Sequence, residues 1–515
     1  MNQMMKTTGK NRHIREMLLL CGMGLFLFAC AVTAINVIML PIARTYHGYS
    51  GVIAFAAMAA YAAVSLLLGK RLLAAQDSHL ERVVKIAVPA YLCVMFAMHL
   101  ISAVLLEYTP SGDNFMIYNA AQLMARDGSF DAYPDFYLYL SRFSNQWGFM
   151  LMLSGLYKLL FSVGLTDMFF PTAVVQAVIY IFGVLALLDI ARRLRGVRGV
   201  LALVFVLSTC FPLYIAASVL YTDTFSMPFV ALSLCFALRA MDAELIRKTV
   251  AYALAAAAFA AVGGQIKMTA AIVLIAAVIV FALRMKPLRA LCACVVMALT
   301  MAVSVASVNR AVVGPILDPA MVEQHNTPAI HWIMMSMPTG NNPYGDDIED
   351  YRQTWKMMEE GASREEVMDS IYTRLIDKIY YLRYPSRLIP ALLRKNAAAF
   401  GDGTLGLSEI LDDKPHRYSA LSAVVREEGK CYPVYQAVCS GIFGAHLIFG
   451  ALACLRDMKK KDLRAALLYV AMFGFMVFML IWEVRSRYIF NFAPVLLLIS
   501  MGFIARGAKE GEERK

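Results

Sequence analysis

The sequence predicts an all-α polytopic membrane protein with about twelve transmembrane helices and two external, partly helical loop regions. Of its 515 residues, 60% are hydrophobic and 17% are charged, whereas about a quarter of the residues of a soluble domain are charged. The mean hydropathy is +0.61. Apolar runs close to the roughly 20 residues that cross a hydrocarbon core of about 30 Å recur along the chain, which excludes a soluble globular fold.

The candidate spans are apolar runs separated by polar or basic segments. They are Met17–Pro41, Gly51–Gly69, Ile86–Leu106, Met168–Ile190, Val200–Tyr221, Phe225–Met241, Thr249–Gly263, Met268–Leu283, Ala290–Val308, Tyr435–Leu455, Leu463–Trp482 and Ile489–Ile504. The first run follows a basic N-terminus, as in a signal peptide, but it is long enough to span and further spans follow it. We therefore expect it to be retained as the first helix.

One further apolar run, Trp147–Leu165, decides the topology. If it crossed the membrane, the arginines within 192–198 would face outward, against the tendency of basic residues to stay in the cytoplasm. Lys158 in the middle of the run also suits a helix that lies along the external surface. The sequence therefore predicts a multi-pass protein of the cell membrane, typical of a bacterial plasma membrane, with its N- and C-termini in the cytoplasm.

This topology divides the chain into five parts. They are N-terminal spans with an accessory hairpin (1–106), a first external loop with surface helices and a candidate catalytic acid (107–167), a central transmembrane bundle (168–309), a large external region (310–433), and C-terminal spans with a cytoplasmic tail (434–515). Within the large external region, Ser363 and Glu366 form a capping-box pattern that predicts the start of an amphipathic helix.

Charge and cysteine content exclude several classes of function. The net charge of +11 does not indicate a nucleic-acid partner, because the basic residues lie in short segments between apolar runs, where they report topology. The ten cysteines show no metal-ligand spacing, and most lie inside apolar runs, where cysteine behaves as a small hydrophobe. Cys431 and Cys439 near the external face either pair or stay free. The partners predicted from composition are membrane lipids.

Asp113 is the first candidate for chemistry, in the sequence Ser111–Asn114 just beyond the third span. A helical pattern follows it, and an acid at a helix N-terminus is stabilised as its anion. One interpretation is that Asp113 only caps this helix, since Ser, Asp and Asn are good capping residues. The other is that an ionised carboxylate at the boundary between water and lipid acts as a base toward an acceptor hydroxyl.

A second acid, Asp223, lies on the same face in what the sequence predicts to be a very short turn between two spans. It is either a polar turn residue or a second catalytic carboxylate. If it met Asp113, the two could bind a divalent cation through oxygen ligands. No other cofactor is indicated, and no metal-binding residues are assigned with certainty.

The most charged span end is Trp482–Tyr488. Charges where a helix meets the lipid are costly unless they are paired or functional. Arg485 and Arg487 are either snorkelling side chains paired with Glu483 or ligands of a phosphate, which the planar guanidinium binds well. Lys267, in another external turn, is a further candidate for the same anion.

The remaining substrate-contact candidates are aromatic or lie beside aromatic residues. In this topology all four tryptophans fall on the external side or at its interface, which suggests an external site with aromatic walls. Trp147, His331, Tyr488 and Glu483 are the residues that we expect to contact a substrate there. The spacing of His331 and His325 fits no metal motif well.

In their order and shared sidedness, these residues resemble the landmarks of the GT-C superfamily of polytopic glycosyltransferases, which includes protein O-mannosyltransferases and the aminoarabinose transferases of lipid A. The resemblance runs from Asp113 to a Glu-x-x-x-Arg-Tyr…Pro stretch at Glu483, Arg487, Tyr488 and Pro494. It departs from the family at Asn114, where many members have a second acid, and in having three spans ahead of the first loop. The absence of that second acid puts a metal-dependent site in doubt.

The resemblance implies transfer of a sugar from a polyprenyl-phosphate donor to a hydroxyl of a cell-envelope glycan, lipid or protein. In that reaction Asp113 is the base, and the lipid phosphate leaves toward Arg485 and Arg487, with inversion at the anomeric carbon. Three other functions stay open: an O-antigen-type polymerase or ligase, which would rely on arginine and histidine of the long loop; a transporter or flippase, which would favour inverted repeats and charges near mid-bilayer; and a structural partner in a cell-wall complex.

Overall fold

The computed structural model describes residues 2–39, 48–130, 132–339, 344–345, 348–411, 415–416 and 418–505. These residues form α-helices joined by short turns and 3₁₀ segments, and the only β pairing among them is two isolated bridges. The prediction of an all-α polytopic membrane protein is confirmed. Eight helices of the described residues are long and apolar enough to cross a membrane, and three shorter apolar helices accompany them. The predicted number of about twelve spans stays a prediction.

The helices fall into a membrane set and an external set. The first membrane helices are α1 (Asn2–Met39), α2 (Gly48–Ala74) and α3 (Asp77–Leu105). The first external loop then contributes α4 (Gly112–Asp127), α5 (Pro134–Arg142) and α6 (Trp147–Ser162). The membrane set continues with α7 (Phe169–Ser208), α8 (Thr222–Asp242), α9 (Ile246–Ile266), α10 (Ile272–Arg284) and α11 (Pro287–Val312). The external set is α12 (Pro319–His325), α13 (Ala329–Ser336), α14 (Ile348–Glu359), α15 (Arg364–Leu382), α16 (Pro385–Phe400), α17 (Leu407–Leu411) and α18 (Ser422–Val425). The last helices of the membrane set follow it, namely α19 (Tyr432–Lys459), α20 (Ala466–Ile481) and α21 (Ala493–Ile504).

The long helix α7 is two helices that fold back on each other at Gly196. Gly196 has φ +63° and ψ −154°, which is far from helical geometry. A Cβ on Gly199 would lie 2.5 Å from the carbonyl oxygen of Ala191, although residues eight apart in a continuous helix are separated by about 12 Å. The chain therefore reverses within a few residues, at the arginine-rich segment that the sequence places between two spans.

The second arm of α7 is shorter than predicted. The span expected over Val200–Tyr221 ends at Ser208, and two 3₁₀ turns (Phe211–Tyr214 and Ala216–Ser218) carry the chain to α8. The prediction of a very short turn at Asp223 is therefore wrong, because the chain runs through a largely buried segment with two 3₁₀ turns, and Asp223 then lies in the first turn of the next helix.

Ion pairs gather the basic turns at one end of the bundle. Arg192 pairs with Glu81 at 2.5 Å and Arg198 with Asp77 at 2.9 Å, both at the start of α3. Arg195 pairs with Asp457 at 2.5 Å, at the end of α19, and with Asp462 at 2.8 Å. The Gly196 turn, the start of α3 and the end of α19 therefore lie together, as expected if all three face the cytoplasm.

The large external region has its own small core. The predicted capping box at Ser363 and Glu366 is present, and it begins α15 one residue later. Val367 and Ile371 of α15 pack with Met334 of α13 and Met358 of α14, and all four side chains are buried. This core gives the region a rigid scaffold above the bundle.

We predict that the basic end faces the cytoplasm and the external region faces outward. In a cysteine-free background, Glu360→Cys in the exposed turn after α14 should react with an impermeant thiol reagent in intact cells. Lys460→Cys, exposed beyond α19, should react only after lysis. Labelling of Lys460→Cys and protection of Glu360→Cys in intact cells would reverse the topology.

Candidate active site

A cavity of about 930 Å³ opens between the bundle and the external helices, at the end opposite the basic turns. Its lining comes from the start of α4, the junction between α5 and α6, the chain before α8 and after α9, helices α13–α15, and the end of α20 with the chain beyond it. Five of the residues singled out from the sequence line it, namely Asp113, Lys267, Glu483, Arg487 and Tyr488. Segments that are distant in sequence therefore meet in one concave site.

The cavity also bears on the topology. Asp113 and Tyr221 line the same space, so the chain crosses the membrane an even number of times between them. The two arms of α7 satisfy this condition, and α6 then stays on the cavity side. The geometry therefore favours the predicted surface position of the run that begins at Trp147.

Asp113 lies in the first turn of α4, and its side chain is exposed to the cavity. The N-cap residue is Ser111, so the interpretation of Asp113 as the cap is wrong. Gly112 has φ +51°, in the left-handed region that glycine tolerates, and Asn114 is buried with its amide donating to the Tyr108 hydroxyl at 3.1 Å. The turn thus buries Asn114 and leaves the Asp113 carboxylate accessible.

Two tyrosines respond electrostatically to Asp113. Burial raises the pKa of Tyr139 well above its ordinary value, and the negative charge of Asp113 raises it further. The pKa of Tyr221 is raised by burial and by Asp113, and it also responds to Arg487 and Asp223. Both hydroxyls therefore stay protonated. Tyr221 lies close enough to Asp113 and to Asp223 that the charge of each raises its pKa.

Asp223 is fully buried, and two cations flank it. Its Oδ1 lies 2.9 Å from Nζ of Lys267, and its Oδ2 lies 3.6 Å from Nε of Arg487. It does not line the cavity itself, so it positions the two cations and does not reach a substrate. The sequence could not reveal this, because Tyr221–Thr224 is polar like an exposed turn.

The residues do not favour a divalent cation between Asp113 and Asp223. Lys267 and Arg487 already neutralise Asp223, and among the described residues no group of three or more His, Cys, Asp or Glu side chains is arranged to hold a metal ion. A hard cation requires several oxygen ligands. We therefore derive no step through a metal.

Arg487 is held on several sides. Its Nη1 donates to Glu409 at 3.1 Å, and its guanidinium lies 5.4 Å from the ring centroid of Tyr221. Tyr488 continues this framework: its ring lies 3.7 Å from Nζ of Lys267, and its hydroxyl donates to Glu483 at 2.8 Å. Lys267 and Arg487 are thus oriented by acids and aromatic faces while both line the cavity.

Arg485 points elsewhere because the helix breaks. Helix α20 ends at Ile481, and a 3₁₀ turn at Ser486–Ile489 follows an extended stretch. The guanidinium of Arg485 lies 4.5 Å from the ring centroid of Tyr344, and its Nη1 lies 3.6 Å from Glu409. The turn at Gly406 packs directly against the backbone of Arg487. Only glycine fits there, since φ is +62° and a Cβ would lie 2.4 Å from the backbone nitrogen of Arg487.

Aromatic side chains form one wall of the cavity, as the one-sided tryptophans suggest. Trp332 and Trp482 stack with ring centroids 6.4 Å apart and an interplanar angle of 25°. Trp355 lies beside them, and the guanidinium of Arg142 lies 4.6 Å from its centroid. Such flat apolar faces suit the hydrophobic face of a sugar ring or an isoprenoid unit.

The cavity is positively charged. Among the described lining residues, five are cationic and two are acidic. The cations are Arg142, Lys267, Arg352, Arg364 and Arg487, and the acids are Asp113 and Glu483. Sequence reasoning missed Arg142, Arg352 and Arg364, because they lie on amphipathic external helices or their edges, where arginine is ordinary. A cavity of this charge attracts anions.

Two predicted substrate contacts lie behind the wall. His331 is fully buried, its Nδ1 lies 3.1 Å from the Thr354 hydroxyl, and burial lowers its pKa to about 3. Trp147 is also buried and donates from Nε1 to the carbonyl oxygen of Leu140 at 2.8 Å. Neither lines the cavity, so both are packing residues and the predictions that they contact a substrate are not carried further.

Comparison with known proteins adds a family and one structural likeness. A family model described as "conserved hypothetical integral membrane protein" matches residues 11–506. No curated protein matches the chain. Among solved structures, the chain is similar to the crystal structure of ArnT from Cupriavidus metallidurans bound to undecaprenyl phosphate, with 13% identity, a TM-score of 0.35, and coverage of 81% of this chain and 78% of ArnT. A likeness at this level establishes no activity.

Proposed function

The chain belongs to the family of conserved hypothetical integral membrane proteins, and we propose that it is an inverting glycosyltransferase that uses a polyprenyl-phosphate sugar at the external membrane face. One observation carries the proposal. A cationic pair, Lys267 and Arg487, and an accessible carboxylate, Asp113, line the same aromatic-walled cavity. The two cations stabilise an anionic leaving group, and the carboxylate accepts the proton of an acceptor hydroxyl.

The donor phosphate fits against Lys267 and Arg487. Ion pairs with Asp223 and Glu409 fix both cations before any ligand arrives, so little reorganisation is needed when charge develops on the leaving phosphate. Apolar lining residues next to them, Ile266, Met268 and Phe478, offer a path for the first isoprenoid units. The rest of the lipid stays in the bilayer, which it cannot leave without a large hydrophobic cost.

Asp113 acts on the acceptor. Its carboxylate takes the proton from an acceptor hydroxyl as the hydroxyl oxygen bonds to the anomeric carbon. The bond from that carbon to the phosphate oxygen breaks at the same time, and the electron pair leaves with polyprenyl phosphate toward Lys267 and Arg487. A single displacement inverts the anomeric configuration. Trp332 and Trp482 are positioned to flank the sugar during this transfer.

The test uses the purified full chain in nanodiscs with a radiolabelled polyprenyl-phosphate sugar and membrane extract as the acceptor source. We expect acceptor-dependent release of polyprenyl monophosphate and of glycosylated product. Consumption of a polyprenyl diphosphate donor, with no use of the monophosphate, would indicate a polymerase or ligase instead. Movement of an intact lipid-linked sugar between leaflets, with no bond cleaved, would indicate a flippase.

A further inference from the structure

We propose that the end of α15 and the start of α16 form a membrane-binding surface that docks on anionic phospholipid headgroups of the surrounding bilayer. This surface, the α15–α16 shoulder, comprises Ile376, Ile379, Tyr380, Arg383, Tyr384, Arg387, Leu388 and Ile389. It is separate from the cavity, and the inference holds whatever substrate the cavity takes.

The shoulder exposes more apolar surface than an aqueous loop tolerates. Ile376 is 63% exposed, Tyr380 64% and Ile389 55%, and every residue from 383 to 390 is exposed. Ile376, Ile379 and Tyr380 are spaced so that they lie on one face of α15. A contiguous apolar patch of this kind on an external region marks a contact with another surface.

The arginines on the shoulder lie over aromatic rings and not against acids. The guanidinium of Arg383 lies 3.4 Å from the ring centroid of Tyr380 and 4.5 Å from that of Tyr384. Arg387 lies 4.3 Å from the ring centroid of Tyr381 and 5.3 Å from that of Tyr384. Among the described carboxylates, none forms an ion pair with Arg383 or Arg387. Arg383 donates to the Tyr384 hydroxyl, and Arg387 donates from Nη1 to the carbonyl oxygen of Tyr381 at 3.4 Å. Each guanidinium has further N–H groups that remain for phosphate oxygens.

The anchoring of α16 sets the height of the shoulder. The Asn36 amide donates to the carbonyl oxygen of Leu393 at 2.7 Å and to Oδ1 of Asn396 at 2.9 Å. The Asn396 amide donates to the Thr33 hydroxyl at 3.0 Å. Asn36 and Thr33 lie in the last two turns of the first membrane span, which ends at Ile38.

This places the C-terminal part of α16 at the outer edge of the hydrocarbon core. Leu388 lies five residues before Leu393, a helical rise of about 7.5 Å. The shoulder is therefore within reach of the headgroup layer. Tyrosine is enriched at membrane–water interfaces, where its amphipathic ring lies at the level of the headgroups. Anionic phospholipid is the matching partner, because the two guanidinium groups supply positive charge that no described carboxylate neutralises by an ion pair.

The test places a fluorophore on the shoulder. In a cysteine-free background, Leu388→Cys is labelled and reconstituted in phosphatidylcholine nanodiscs that contain phosphatidylglycerol and a headgroup spin-labelled lipid. The matched control is Glu360→Cys, in the turn before α15, and α15, a helix about 28 Å long, separates that turn from the shoulder. We expect the probe at 388 to be quenched by the spin-labelled lipid about twofold or more over the control, and to be protected from iodide in the water.

A second comparison isolates the arginines. Arg383→Gln with Arg387→Gln should abolish the gain in lipid quenching at 388 that phosphatidylglycerol gives over pure phosphatidylcholine. The proposal is overturned if iodide quenches 388 and 360 equally while the spin-labelled lipid quenches neither. It is also overturned if the probe at 388 becomes shielded only when a second protein is added, since the surface would then be a protein docking site.

Discussion

Asp113→Asn should leave the protein folded and lower sugar transfer by about two orders of magnitude or more, because an amide cannot accept the acceptor's proton. The cost in stability should be small. Asp113 is exposed and is not the helix cap, so the main loss is its interaction with the N-terminal end of α4, worth about 0.3–1 kcal/mol. The charge that Tyr139 and Tyr221 meet is also removed, but both hydroxyls stay protonated with or without it. The measurement is product formation at saturating donor, together with the thermal unfolding midpoint in the same nanodiscs.

Asp127→Asn is the matched control, since Asp127 is the exposed acid at the other end of the same helix and pairs with Arg126 on the surface. It should keep near wild-type activity. Donor binding should survive in Asp113→Asn, because the cations that hold the phosphate are untouched. Near wild-type turnover in Asp113→Asn would rule out the carboxylate as the base. Loss of donor binding would assign Asp113 to the donor side.

Local signals account for what the sequence predicted well. The apolar runs predict the all-α membrane fold because backbone groups in lipid must be satisfied within each helix. The capping box at Ser363 predicts the start of α15 because both of its bonds are local. The charged residues after Trp482 indicate that the membrane helix ends there, because a continuing helix would have to bury those charges in lipid.

Tertiary contacts decide what the sequence could not give. The sequence around Asp223 predicts an exposed acid in a turn. In the structure, packing buries Asp223 against Lys267 and Arg487, which come from distant segments. His331 and Trp147 look like typical substrate contacts, but they point into packed cores instead of the cavity. Arg485 and Arg487 are chemically alike in the sequence, and only the break beyond α20 separates their directions.

Arg487→Lys should weaken donor binding by about tenfold or more while the protein still folds. Lysine keeps the positive charge but lacks the planar guanidinium of Arg487. That guanidinium pairs with Asp223 and Glu409 and, in the proposed function, also binds the donor phosphate. A hydrogen bond to a charged group contributes about 1.5–3 kcal/mol, which sets the expected size of the effect. Donor titration in nanodiscs measures the change, and thermal unfolding shows whether the buried cluster survives.

Arg485→Lys is the control because Arg485 carries the same charge two residues away, does not line the cavity, and packs over Tyr344. Its effect on donor binding should be much milder. If Arg485→Lys abolishes donor binding and Arg487→Lys does not, the two arginines have the opposite roles. If neither changes donor binding, the phosphate lies elsewhere in the cavity, and Lys267 becomes the residue to test, since it lines the same wall and pairs with the same buried acid.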